Sequence, residues 1–187
     1  MQPYNTVLIL AALSIVMMLL ERWGLATTLA LTFKGDVKRE TRFLAQYGQM
    51  ICTVVVIVVI YQLDKTRGPR VAEALGAAVL GATIASTILK RLLGRARPKR
   101  EHAGKFMGPS FRHANYRESF PSSHSASAFA FSGVLVMAYP QAAATFWVLA
   151  IICASLRYVM DAHWPSDVLG GISLGLLASI ISWHHFF

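Results

Sequence analysis

Charge is what this sequence has least of. Only 14% of its 187 residues are charged, where a soluble domain carries about a quarter. Acidic side chains are the scarcer sign, nine Asp and Glu against 18 Lys and Arg, giving a net charge of +9. Cysteine is scarce too. Cys52 and Cys153 both lie inside apolar runs, so they are small buried hydrophobes, form no disulfide framework and say nothing about redox compartment. The pattern GxxxxGK[ST] is missing, which removes the usual phosphate-cradling loop. No internal repeat or low-complexity segment is present. A basic arm interleaved with aromatics is missing as well; Lys and Arg gather at the ends of apolar runs, which argues against a nucleic-acid partner.

What fills the chain instead is apolar sequence, 55% of all residues. A spanning helix needs about 20 mostly apolar residues. Six runs approach that: Tyr4–Leu20 with a possible continuation past Trp23, Gln49–Leu63, Val71–Leu93, Ser122–Tyr139, Ala142–Val159 and Pro165–Trp183. No basic residue precedes the first run and no clear small-residue cleavage site follows it, so a retained helix is expected and not a removed signal peptide. In KGDVKRETRF and just beyond, Val37, Thr41, Leu44 and Ala45 fall on one side of a helix, as in a segment lying along the membrane surface. The expected fold is all-α: a polytopic membrane bundle of six transmembrane helices with one short interfacial helix, forming a single membrane-embedded domain over 1–187. Small residues four apart, Gly171 with Gly175 and Ala77 with Gly81, are read as close helix packing inside this bundle.

With six spans, the ends of spans three and five share one membrane face with the starts of spans four and six. The unusual polar residues fall on that face: Lys90, Arg97, His124, Arg157, His163 and Asp167. Lys90 and Arg97 are seven apart, so a helix running past Leu93 would set them on one side, although Pro98 loosens the end. An ammonium and a guanidinium aimed at one point suit a phosphate, and Arg157 adds a third cation. Singly, each also fits an interfacial anchor. His163 and Asp167 stand four apart with Pro165 between them, which sets a carboxylate against an imidazole and fixes its tautomer. Asp161 is expected to pair with Arg157. Ser122 is a suitable N-cap for span four. The free amides of its first turn, Ser123 included, attract anions, and His124 in that turn could donate a proton. Together these residues are the parts phosphoryl transfer requires. One chemical rival is a metal held by His124, His163 and Asp167, disfavoured by three fixed cations close by. Another reading is a non-catalytic anionic-lipid or phosphate binding or carrier protein.

Three blocks, KRLLGRARP, SFPSSH and SLRYVMDAHWPSD, resemble in order and spacing the signature of the type 2 phosphatidic acid phosphatase family, which also includes vanadium haloperoxidases and soluble acid phosphatases. The motifs cover about Lys90–Gly171. The resemblance implies a metal-independent phosphatase without cofactor. His163 would attack phosphorus to form a phosphohistidine, Asp167 would orient it, and His124 would protonate the leaving group. Lys90, Arg97 and Arg157, with Ser122 and the Ser123 amide, would hold the phosphate oxygens. Ser123 stands where the family usually has glycine, and Leu156 where it usually has serine, with Ser155 one position away. The setting implies a membrane lipid phosphate as substrate and a bilayer as surroundings. The loop Lys99–Phe120, with Lys105, Arg112 and Arg117, would serve as a lid or headgroup reader. Family analogy places this face outside a cell's inner membrane. Charge points the other way, because only Lys65, Arg67 and Arg70 of the 18 Lys and Arg lie on the opposite side, against the positive-inside rule.

Overall fold

The computed structural model describes residues 3–24, 34–100, 102–110, 112, 114–160 and 162–187. Among these residues seven α-helices follow one another: α1 (Pro3–Arg22), α2 (Gly35–Leu44), α3 (Met50–Leu63), α4 (Gly68–Leu93), α5 (Ser123–Ala138), α6 (Ala143–Val159) and α7 (Pro165–Phe186). Single 3-10 turns occupy Asn115–Arg117 and Pro140–Ala142. Each expected apolar run is a helix, and the amphipathic segment is α2. The chain is an all-α integral membrane bundle.

Local chemistry sets the boundaries. After α3 the Asp64 carboxylate accepts the amides of Thr66 and Arg67 at 3.2 and 2.9 Å, a side-chain turn of the Asx kind. Both contacts lower the pKa of Asp64, the Arg67 amide most. The turn lets α4 begin at Gly68, three residues before the expected start, with Pro69 in its first turn where a missing N–H does no harm. At the other end Gly94 adopts φ 61° and caps α4 through its N–H to the Lys90 carbonyl, the left-handed ending that glycine accepts most readily.

Length sorts the helices. α1, α4, α7 and α6 with its preceding turn are long and apolar enough to cross a membrane. α3 has 14 residues and α5 has 16, or about 21 and 24 Å at 1.5 Å per residue, short of a hydrocarbon core of about 30 Å. Helix length therefore gives four candidate crossings among the described residues and leaves the sixfold count open. α5 is the central helix. It is buried almost throughout from Ser125 to Leu135 and packs against α4, α6 and α7. Ala126, Ala130, Phe131 and Val134 meet Val71, Ala74, Leu75 and Ala78 of α4 in one cluster, while Phe129 meets Ala150, Cys153 and Ala154 of α6 in another.

The expected glycine packing is found on one pair of positions only. A methyl group at Gly175 would run into the Ala126 carbonyl and approach the Ala130 nitrogen at 2.9 Å, and one at Gly171 would strike the Ser122 carbonyl. These glycines let α7 lie against α5. Gly81 has nothing within 4 Å of such a methyl; with Ala77 it lines an apolar groove between α4 and α7, so close packing does not explain that pair. α1 is fastened along α7 by the Ser173 hydroxyl donating to the Val7 carbonyl at 3.0 Å and the Ser14 hydroxyl donating to Ser166 at 2.8 Å, since a hydroxyl in lipid needs a partner. α2 exposes Val37, Phe43 and Leu44 beside its charged residues, as suits a helix lying in the interface.

Candidate active site

The site sits where the bend before α7 meets the ends of α4, α5 and α6. Asp167 occupies the third position of α7, and its Oδ2 accepts the Trp164 N–H at 2.9 Å, closing the helix start. Oδ2 also accepts the Ser119 hydroxyl, and Oδ1 accepts Arg95 Nη1 at 2.5 Å. His163 Nδ1 stands 3.6 Å from Oδ2, both residues being buried. That is slightly beyond hydrogen-bond distance, and among the described residues Asp167 is the carboxylate that Nδ1 faces. Burial pushes the His163 imidazole down to about 4; the carboxylate of Asp167 pulls it back up, while Lys90 and Arg97 push it further down. The ring is therefore neutral near pH 7, with one nitrogen directed at the carboxylate and a lone pair on the other.

The three expected cations approach the site by different routes. Helix α4 ends at Leu93 and does not continue to Arg97, because Gly94 caps it. Lys90 is carried by the last helical turn, and Arg97 by the extended strand-like segment that follows. Arg97 donates to the carbonyls of Asn115, Ala162 and Glu118 at 2.8, 3.1 and 3.4 Å. Three of its five N–H groups are used in this way, and the other two have no partner among the described residues. Arg157 reaches in from the last turn of α6, and its Nε is buried with no hydrogen-bond partner among the described residues, a sign that something else is to be bound. Asp161, expected as its partner, lies outside the described residues. His124 lies where the charges of Arg157, His163, Lys90 and Arg97 all act on it, and Lys90 feels Arg97, Asp167 and Arg157 in turn.

Ser122 caps α5. Its hydroxyl oxygen accepts the Ser125 amide at 3.4 Å and the Ser125 hydroxyl at 2.9 Å, and its own N–H donates to the Asp167 carbonyl at 2.9 Å. That last bond ties the mouth of α5 directly to α7. Ser123 accepts the Ser86 hydroxyl of α4 at 3.1 Å, so a side chain stands at this position with a place of its own. Among the described residues no three of His, Cys, Asp or Glu stand close enough to hold a metal ion.

Sequence reasoning missed two residues. Arg95 falls in the unremarked interval of the first block, yet it is 1% exposed and bonds both Asp167 and Glu21. Glu21 offered a signal: a carboxylate at the end of an apolar span is functional by default. The long loop is less free than expected. It pairs with the segment after α4 through Ala96 N–H to Lys105, Met107 N–H to Gly94 and Arg97 N–H to Tyr116. Arg117 is turned inward onto the Gly108 carbonyl, whereas Lys105 and Arg112 stay exposed. Between this loop and the end of α1 lies a cavity of about 610 Å³. Met18, Leu19, Phe106 and Trp164 form its apolar walls, and Arg22 and Lys105 its basic edge.

The fold and site define a class of helical membrane proteins with a buried His–Asp pair, on which Lys90 and Arg97 act, beside a second histidine on which Arg157 acts as well. The PAP2 superfamily model matches residues 72–187, and the chain belongs to the PAP2 superfamily. Two curated relatives are lipid A 1-phosphatases. That of Rhizobium johnstonii is 34% identical over 132 residues, covering 65% of this chain and 54% of that protein. That of Rhizobium etli is 35% identical over 133 residues, covering 65% and 56%. The chain thus spans about half the length of these relatives. The solved structure of Aquifex aeolicus LpxE aligns with a TM-score of 0.65 at 21% identity, covering 82% of this chain and 88% of that one. The PAP2-type phosphatidylglycerolphosphate phosphatase from Bacillus subtilis aligns with a TM-score of 0.61 at 20% identity, covering 98% and 95%. At such identities the likeness speaks for the fold.

Proposed function

We propose that the protein is a metal-independent membrane lipid phosphatase, acting on a lipid phosphate or pyrophosphate monoester through a phosphohistidine. One observation carries the reading: a buried, neutral His163 faces Asp167 on one side and shares its surroundings with Lys90, Arg97 and Arg157. The Nε2 lone pair attacks phosphorus, and the bond from phosphorus to the leaving oxygen breaks as His124 delivers a proton to that oxygen. The cations, the Ser122 hydroxyl and the Ser123 amide take up the charge on the equatorial oxygens. Water activated by His124 then cleaves the P–N bond and frees phosphate. The apolar walls and basic edge of the cavity beside Trp164 suit an amphiphile with an anionic head. The relatives' names put a lipid A phosphate first in a panel with phosphatidic acid, phosphatidylglycerol phosphate and a polyprenyl pyrophosphate.

The test is phosphate release from that panel by purified protein in detergent with excess chelator. Turnover of at least one lipid at an unchanged rate after chelation is expected. Binding without turnover would favour the carrier reading, and loss of turnover on chelation would return a metal to the site.

The site face is assigned to the outside of the inner membrane. Its support is family analogy, and the basic loops stand against it. Ala103 is exposed on the site side, and Thr66 is exposed on the opposite turn. In protein lacking Cys52 and Cys153, Ala103→Cys is expected to react with an impermeant maleimide in intact cells and Thr66→Cys only after the membrane is breached. The reverse order overturns the assignment.

A further inference from the structure

Arg95 takes no part in the chemistry just described, yet both of its terminal nitrogens are held. Its Nη2 donates to Glu21 Oε2 at 2.7 Å, and its Nη1 donates to Asp167 Oδ1 at 2.5 Å and to the Ser166 hydroxyl oxygen at 2.6 Å. The Phe106 and Trp164 rings flank the guanidinium with centroids at 5.5 and 5.4 Å, which stops it from swinging. Glu21 is fixed in turn. Its Oε1 accepts the Ser166 N–H at 3.1 Å, its Oε2 accepts the Ser166 hydroxyl at 2.5 Å, and its side chain is 2% exposed. A carboxylate from α1, a guanidinium from the segment after α4 and the carboxylate facing His163 thus form one buried chain.

The charges in this chain matter as much as its geometry. One guanidinium between two carboxylates leaves a net charge of −1. Paired with Asp167 alone, Arg95 would neutralise the carboxylate that has to hold the imidazole N–H. Glu21 draws on the same guanidinium from the far side and so leaves Asp167 more of its negative character. The bonds from Ser14 and Ser173 already fasten α1 to α7, so a buried ion chain is not needed for that purpose. Buried ion pairs are in any case a poor source of net stability.

We infer that Glu21 and Arg95 are positioning residues for His163: through Asp167 they fix which ring nitrogen carries the proton and where the nucleophilic lone pair points. This rests on the phosphatase reading. It also makes α1, which lies before the family-matched segment 72–187, part of the working site.

The test uses the full chain in detergent with Glu21→Gln, Glu21→Asp and Arg95→Lys. Glu21→Gln is expected to lose about 10- to 100-fold in kcat, the usual cost of a partner that orients a working ligand, with KM within about twofold. Glu21→Asp recovers part of that loss. Arg95→Lys falls further, because one ammonium cannot bridge two carboxylates as the fork does. Imidazole ¹⁵N shifts of His163 at neutral pH give a reading that needs no substrate: Nδ1–H in the wild type, and a tautomer mixture in Glu21→Gln. A Glu21→Gln protein with wild-type kcat and wild-type tautomer overturns the inference. So does one whose activity falls only in step with its folded fraction while the tautomer stays put. If the wild type releases phosphate from no lipid, the phosphatase reading fails by itself, and the tautomer comparison still decides this one.

Discussion

Alanine at His163 is expected to leave less than about one part in 10⁴ of the wild-type rate of phosphate release. Losing a nucleophile that acts together with its base and its charge cradle costs about 10⁴- to 10⁶-fold in comparable triads, or about 5–8 kcal/mol of barrier. Every route through a covalent intermediate needs this ring, and the geometry offers no substitute. His124 is a second imidazole, but it faces the cations and has no carboxylate partner among the described contacts. The variant should still fold. Asp167 keeps Arg95, Ser119 and the Trp164 amide as donors, so removing the ring leaves no bare buried carboxylate. It should also still bind inorganic phosphate with an affinity near that of the wild type, because Lys90, Arg97 and Arg157 are untouched. Rapid acid-free quenching with ³²P-labelled substrate is expected to label the wild type and not the variant. Full activity in His163→Ala, or label retained on the variant, would remove this residue from the reaction.

How much of this was legible beforehand depends on the range of each interaction. The apolar runs announce every helix but α2, which its amphipathic spacing marks, because burial in lipid is decided within a segment. Gly94 and Ser122 mark their helix ends with local chemistry alone. The i,i+4 spacing of His163 and Asp167 placed the pair correctly, since the bend and first turn of α7 preserve it. Arg97 was harder. Its direction depends on Gly94 ending α4, and its partners Asn115, Glu118 and Ala162 are 18, 21 and 65 residues away. Arg95 and Glu21 were hidden for the same reason: 74 residues separate them, and nothing periodic links the end of the first helix to the segment after the fourth. Whether α3 and α5 cross fully could not be read from hydropathy either. α5 is as apolar as a spanning helix, but its surroundings are other helices, and a buried core helix has no need of membrane length.

His124→Ala gives the second large effect, and its size depends on the substrate. A general acid contributes about 10²- to 10⁴-fold, and that contribution is needed only when the departing oxygen is basic. For an alkyl or glycosyl phosphate, whose oxygen leaves poorly without a proton, the full loss is expected. For an aryl phosphate such as p-nitrophenyl phosphate, the leaving oxygen is stable as an anion, and the first step should proceed almost unimpaired. The second step then becomes limiting, because the residue that gave a proton to the leaving group is the one that would take a proton from water. His124→Ala with the aryl substrate should accordingly show a burst of about one nitrophenol per enzyme, followed by slow turnover and a phosphorylated His163. His124 stands in the first turn of α5, where the charges of Lys90, Arg97 and Arg157 act on it, so a phosphate held by those cations would have this ring beside it. Equal losses on both substrates with no burst would mean that His124 serves binding alone, and the proton would have to come from water.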